Sequence, residues 1–257
     1  MKKTLLSVLV AIVFVFTGTS LFSQNAYIKL GGGYGLSLAS QEVYNITTSS
    51  GEGTSESHKY GSFGEGINFQ GGFGYNINPN FALELAGSYT MGKKFDEYTY
   101  KAGSVNYAEK YYANTISIMP SVVVKAPMKD ITPYTRFGMI VGIPTKKEEI
   151  TATGTGAPTG TKVLKESGGV ALGIQGAVGV NFKAGKNLGI FAEVFGIGMN
   201  YAPSQRENTE TFTGQTVDPT VTYSESFTSG TANTEATPRY SFSSFGLNVG
   251  ITYTFGK

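Results

Sequence analysis

The sequence predicts an all-β protein, an eight-stranded antiparallel up-and-down transmembrane β-barrel with short periplasmic turns and long extracellular loops. Three observations carry that expectation. Eight segments alternate apolar residues with small or polar ones at a period of two. The connections between them are alternately short and long. The apolar phase is bulky and the polar phase is small and nearly uncharged, the reverse of a water-soluble barrel.

The chain starts with an export signal. Lys2 and Lys3 precede the apolar run Leu5 to Phe16, and Thr17 to Ser23 form a small, polar exit. That run is shorter than the roughly 20 residues a membrane helix needs. A signal peptide over 1–23, cut after Ser23, and a barrel domain over 24–257 follow as expectations. The chain has no cysteine, so acylation at the cut, disulfides and thiolate metal sites are excluded. Without Lys2 and Lys3 the 20 basic residues fall to 18, matching 18 acidic ones. A neutral chain gives no reason to expect a nucleic-acid partner.

The expected strands are 26–38, 63–75, 81–91, 111–126, 131–143, 169–182, 188–200 and 240–255. Asn76 to Asn80, Pro127 to Asp130 and Lys183 to Asn187 supply the short turns, rich in residues that tolerate tight bends. The long connections, about 39–62, 92–110, 144–168 and 201–239, hold Thr, Ser, Gly and the dense charge. Bulky sets such as Phe137, Met139, Val141 and Ile143 should face lipid, and Gly66, Asn68, Gln70, Gly72 and Gly74 should line the bore. Strand seven splits its apolar residues. Leu188, Ile190, Ala192 and Val194 share one phase, and Phe191, Phe195, Ile197 and Met199 the other, so a bulge near Gly196 or Gly198 is expected to switch faces.

Five charged residues fall within strands on the polar phase: Lys29, Glu84, Lys125, Arg136 and Glu193. Opposite charges in a narrow bore must pair or shift their ionisation. The expectation is an internal ion-pair network, Glu84 with Lys29 or Lys125 and Arg136 with Glu193, that plugs the tube. Three loops should continue as hairpin ribbons: 95–100 with 105–110, 146–153 with 161–166, and 209–215 with 220–227. His58, the only histidine, follows Ser57, but adjacent residues in extended chain point apart, so a hydrolase pair is not expected. A histidine-based site at the outer rim would need Ser62 or a residue from another loop as the partner of His58. Gly31-Gly32-Gly33-Tyr34-Gly35 lacks the Lys-Ser/Thr of a phosphate loop and reads as clearance for large neighbours. Tyr75, Phe81, Phe182, Tyr253 and Phe255 cluster near the short-turn ends as an aromatic girdle. No motif implies a metal, a cofactor or catalysis.

The signal peptide, the alternating strands, the loop asymmetry and the terminal strand Leu247, Val249, Ile251, Tyr253, Phe255 together resemble the small outer-membrane β-barrel family of Gram-negative bacteria. That group includes the OmpA-type transmembrane domain and the OmpX and OmpW barrels. The resemblance implies an outer-membrane address and lipid surroundings. It also implies that the terminal strand is read by the barrel assembly machinery; the family signal usually ends on the aromatic, and here Gly256-Lys257 follow. The edges of the loop ribbons and their clustered tyrosines point to a non-enzymatic structural and surface-contact role, with an extracellular partner engaged through the loops. A narrow pore or a conduit for small or apolar solutes is the alternative, and a barrel enzyme acting on lipid or peptide the third.

Overall fold

Period-two strands joined by tight turns pair with their chain neighbours, because the shortest connection is also the cheapest loop to close. The computed structural model describes residues 25–50, 53–102, 105–155, 159–217, 219–226 and 232–255, with side chains outside 44–57 and 96–104. Among the described residues sixteen strands form. They are β1 (Ala26–Ser37), β2 (Gln41–Ser50), β3 (Gly53–Gly61), β4 (Gly66–Asn76), β5 (Phe81–Gly92), β6 (Phe95–Ala102), β7 (Val105–Lys125) and β8 (Ile131–Gly154). The rest are β9 (Gly160–Ser167), β10 (Ala171–Lys183), β11 (Leu188–Tyr201), β12 (Gln205–Glu210), β13 (Val221–Ser224), β14 (Thr234–Ala236), β15 (Tyr240–Ser241) and β16 (Ser244–Thr254). The signal segment and its cut lie outside the described residues.

Eight of these strands close a ring in the order β1, β4, β5, β7, β8, β10, β11, β16, and every adjacent pair is antiparallel. The ring closes where Tyr27 pairs with Thr254 and Ser37 with Ser244. The short turns hold their bends by local hydrogen bonds: Asn78 Oδ1 accepts from the Asn80 and Phe81 amides, and Met128 N–H donates to the Ile131 carbonyl. Within the β7–β8 ladder the pairing skips Met119 and Pro120; proline brings no N–H to a ladder.

The outer face is greasy. Val178 is 67% exposed and Leu247 63%, with Leu83, Phe137, Met139 and Ile174 similarly bare. An apolar belt of that extent has no place in water and matches the hydrocarbon of a bilayer. The inner face carries Asn68, Gln70, Gln175 and Asn248, all buried.

Strand seven keeps one phase. The β10–β11 and β11–β16 registers run without a shift, so no bulge forms at Gly196 or Gly198. Phe191, Phe195 and Met199 therefore point into the bore, and Phe191 is 0% exposed. Glycines opposite make the room: a Cβ at Gly31 would stand 2.6 Å from the Phe191 ring and 2.7 Å from the Val249 carbonyl oxygen. Gly31→Val should cost about 1–3 kcal/mol through overpacking. A urea midpoint of the micelle-embedded variant equal to that of the unaltered protein would refute this.

Beyond the ring, β7 and β8 run on and collect partners. The strands β6, β7, β8, β9, β12, β13 and β14 form one continuous wall above the long-loop end. The first two expected ribbons are present, as β6 with β7 and β8 with β9. The third differs. β12 pairs mainly with β9, from Gln205–Ser167 to Glu210–Val163, and meets β13 only at Gln205–Thr222 and Arg206–Val221. Edge pairing with the existing ribbon satisfies the β12 backbone, so 211–217 leaves the ladder. The first long loop adds a hairpin that its Ser/Thr/Gly composition did not disclose, β2 with β3, forming a separate sheet.

Candidate functional site in the barrel lumen

Alternation along each strand sends one residue in two inward, and eight strands leave an interior that side chains can fill. Glu193 on β11 sits at the centre of the fill, its side chain 0% exposed. Its Oε2 accepts from Lys29 Nζ at 2.7 Å and from the Tyr134 hydroxyl at 2.8 Å. Its Oε1 accepts from Arg136 Nη2 at 2.8 Å, Gln70 Nε2 at 2.9 Å and Asn248 Nδ2 at 3.1 Å. Arg136 reaches across with Nη1 to Glu84 Oε1 at 2.9 Å, and Tyr27 donates to Glu84 Oε2 at 2.9 Å. Two cations and two carboxylates thus balance in the bore.

The partners differ in part from those expected. Arg136 meets Glu193, and it also takes Glu84, which pairs with neither Lys29 nor Lys125. Lys29 goes to Glu193 instead and lies 4.2 Å over the Phe191 ring. Lys125 donates to Asn76 Oδ1 at 2.6 Å and lies 4.2 Å over the Tyr27 ring, and no carboxylate among the described residues pairs with it. The guanidinium decides this. Its fork serves two carboxylates at once, which an ammonium does less well.

Above this layer the bore narrows to a cavity of about 30 Å³, lined by Asn68, Gln70, Gln175, Phe195 and Asn248 among others. Such a space holds roughly one to three waters. Gln175 Nε2 donates to the Ser121 hydroxyl at 2.6 Å beside it.

A second layer closes the loop end, and sequence reasoning missed it. Phe63, Phe95, Tyr201 and Phe242 are buried there with Ile140 and Met199. Phe63 stands edge-on to Phe95 at 5.4 Å and to Tyr240 at 5.7 Å. Lys146 pairs with Glu166 at 3.1 Å, both nearly fully buried, and lies 4.6 Å over the Tyr240 ring. The available signal was aromatic residues on the inward phase just beyond the strands.

At the rim, Glu65 accepts from the Ser37 hydroxyl at 2.6 Å and from Lys93 at 2.9 Å. Burial opposes its ionisation, but these two donors outweigh it and hold the carboxyl below its ordinary range. On the wall, burial first and then its bond to Glu149 push the Tyr112 phenol up to about 12.

His58 is exposed on β3, with Nδ1 3.1 Å from Glu42. Ser62 is fully buried and donates to the Ser241 carbonyl. Among the described residues no three His, Cys, Asp or Glu side chains are grouped to hold a metal. Leu247, Val249, Ile251 and Tyr253 lie bare along the outer face of β16, and Phe255 packs edge-on against Tyr253 at 5.3 Å.

The chain matches no model of a known protein family. No curated protein matches it either. Among solved structures it is similar to Neisserial surface protein A, at 13% identity over 90% of this chain and 97% of that one, TM-score 0.38. It is similar to Ail, the attachment invasion locus protein of Yersinia pestis, at 12% identity over 90% and 99%, TM-score 0.33. It is also similar to the outer membrane protease OmpT of Escherichia coli, at 10% identity over 91% and 97%, TM-score 0.36. These neighbours are small outer-membrane β-barrel proteins.

Proposed function

We propose that the protein is a sealed outer-membrane β-barrel whose task is mechanical and presentational: a rigid staple in the bilayer that displays strand-built surfaces for contact with an extracellular partner. The observation that carries this reading is the double closure of the bore. The Glu193–Arg136–Glu84 layer blocks one level and the Phe63–Phe95–Tyr201–Phe242 layer another, with about 30 Å³ of free space between. At the long-loop end the strand wall carries partly exposed Tyr112 and the β2–β3 hairpin carries exposed Tyr60, and rigid scaffolds carry recognition on such elements. Exposed His58, set against Glu42, and buried Ser62, whose hydroxyl donates to the Ser241 carbonyl, lend the enzymatic alternative no support. The outward strand Leu247 to Phe255 serves in this reading as the handle for assembly into the membrane.

Purified protein in a planar lipid bilayer should give no steady conductance step. A stable, large open channel from the unaltered protein would overturn the sealed reading and favour transport. Proteolysis of intact cells should cut within 39–62 and 201–239 while leaving the ring strands protected.

A further inference from the structure

The short-turn end of the barrel is built differently from the rest: it is open. Below the ion-pair layer lies a cavity of about 660 Å³. All three short turns converge on it, bringing Asn76 and Asn78 from one, Lys129 from the second, and Lys183 and Lys186 from the third. Tyr27, Tyr134 and Phe191 contribute to its lining from inside the bore, and Lys125 from the end of β7.

Its charge is unbalanced. The lining holds Lys29, Lys125, Lys129, Lys183 and Lys186 against Glu84 and Asp130. Lys29 is committed to Glu193, and Glu84 to Arg136 and Tyr27. Four ammonium groups then face one carboxylate, a surplus of three positive charges. Lys125 is the telling member. It is half-buried, it spends one N–H on Asn76, and no carboxylate among the described residues pairs with it. The Tyr27 ring face and a carboxylate already paired with Arg136 compensate this ammonium only in part, and an anion would complete it. Low-dielectric walls of a concave site concentrate the potential of such a cluster.

We infer that this cup is a binding site for a small solute bearing phosphate or carboxylate groups, approached from the short-turn side. Its volume is within the roughly 300–1,000 Å³ typical of small-molecule sites. Lys125 and Asn76 hold the anionic group at depth, and Lys183 and Lys186 gather it at the mouth. The partly exposed Tyr134 ring and Leu188 at the mouth give an apolar body something to lie against. The sealed bore above makes it a dead end, so the solute is held and not passed on. This inference stands apart from the surface-contact role: either can fail without the other.

The test uses the full-length mature protein in neutral detergent micelles, titrated calorimetrically with pyrophosphate, with citrate and with glucose. Lysine acetylation mapped by mass spectrometry runs in parallel. The expected result is saturable binding of pyrophosphate or citrate, none of glucose, and protection of Lys125, Lys183 and Lys186 from acetylation. Lys125→Gln and the double variant Lys183→Gln/Lys186→Gln should each weaken binding at least tenfold, with the heat-dependent gel shift of the folded barrel retained. If only micelles doped with phosphatidylglycerol protect these lysines, the same site is filled by a headgroup phosphate from the adjoining leaflet. Failure of every anion to protect them, or binding indifferent to both variants, overturns the inference.

Discussion

Glu193→Ala should be the most damaging single substitution in the barrel, lowering stability by about 3–5 kcal/mol, because it strands the buried charges of Lys29 and half of Arg136 without their carboxylate. Five donors converge on this carboxylate from β1, β4, β8 and β16. The loss would read as an earlier urea transition of the refolded protein in micelles, with the gel-shift fraction falling at lower temperature. The cause can be isolated. Lys29→Met combined with Glu193→Leu removes one charge of each sign and leaves the Arg136–Glu84 pair intact. That double variant should recover much of the lost stability, since apolar replacement of a buried pair is often close to neutral. If Glu193→Ala unfolds at the same urea concentration as the unaltered chain, the network contributes nothing and the bore must be wetter than its burial implies.

Val249→Arg should cost about 2–4 kcal/mol in a bilayer, because residue 249 lies midway along the outer face of β16 and a guanidinium there faces hydrocarbon. The same change at Tyr253, close to the short-turn rim, should cost at most about 1 kcal/mol. Val249 is 61% exposed and its neighbour Asn248 only 4%, so one step along the chain separates lipid from bore. Folding into vesicles of both variants, followed by urea titration, measures the depth dependence directly. Equal costs at 249 and 253 would contradict the placement of the belt, and so would a stable, detergent-free Val249→Arg protein.

Much of this architecture was legible from the residues because a barrel writes its period into every strand. Phe81, Leu83 and Leu85 against Ala82, Glu84 and Ala86 specify two faces, and the structure exposes the first set and buries the second. The turns at 76–80, 127–130 and 183–187 carried their own chemistry. Partnership inside the bore was less legible. Strand tilt and stagger set which inward residues share a height, and neither is visible along one strand. That is why Glu84 was matched with the lysines while the structure gives it Arg136. The phase of strand seven was obscured by Phe191 and Phe195, apolar residues on the inward side. The clue lay on the two adjoining strands of the sheet, where Gly31 and Gly250 leave a ring-sized hollow. The aromatic closure at the loop end stayed hidden because Phe63 and Phe242 lie just outside strands, Phe95 opens β6, and the three come together only across separate connections.

Seven of the eight seams of the cylinder join strands that follow one another around the chain, but the eighth stitches Tyr27 to Thr254. During synthesis the amino-terminal strand must therefore wait for nearly the whole polypeptide before one of its borders is covered. Every shorter intermediate carries two bare hydrogen-bonding margins and a half-formed oily skin. A chain halted before Ser244 would never lose them, and would be expected to cling to other copies or to whatever escort shields it.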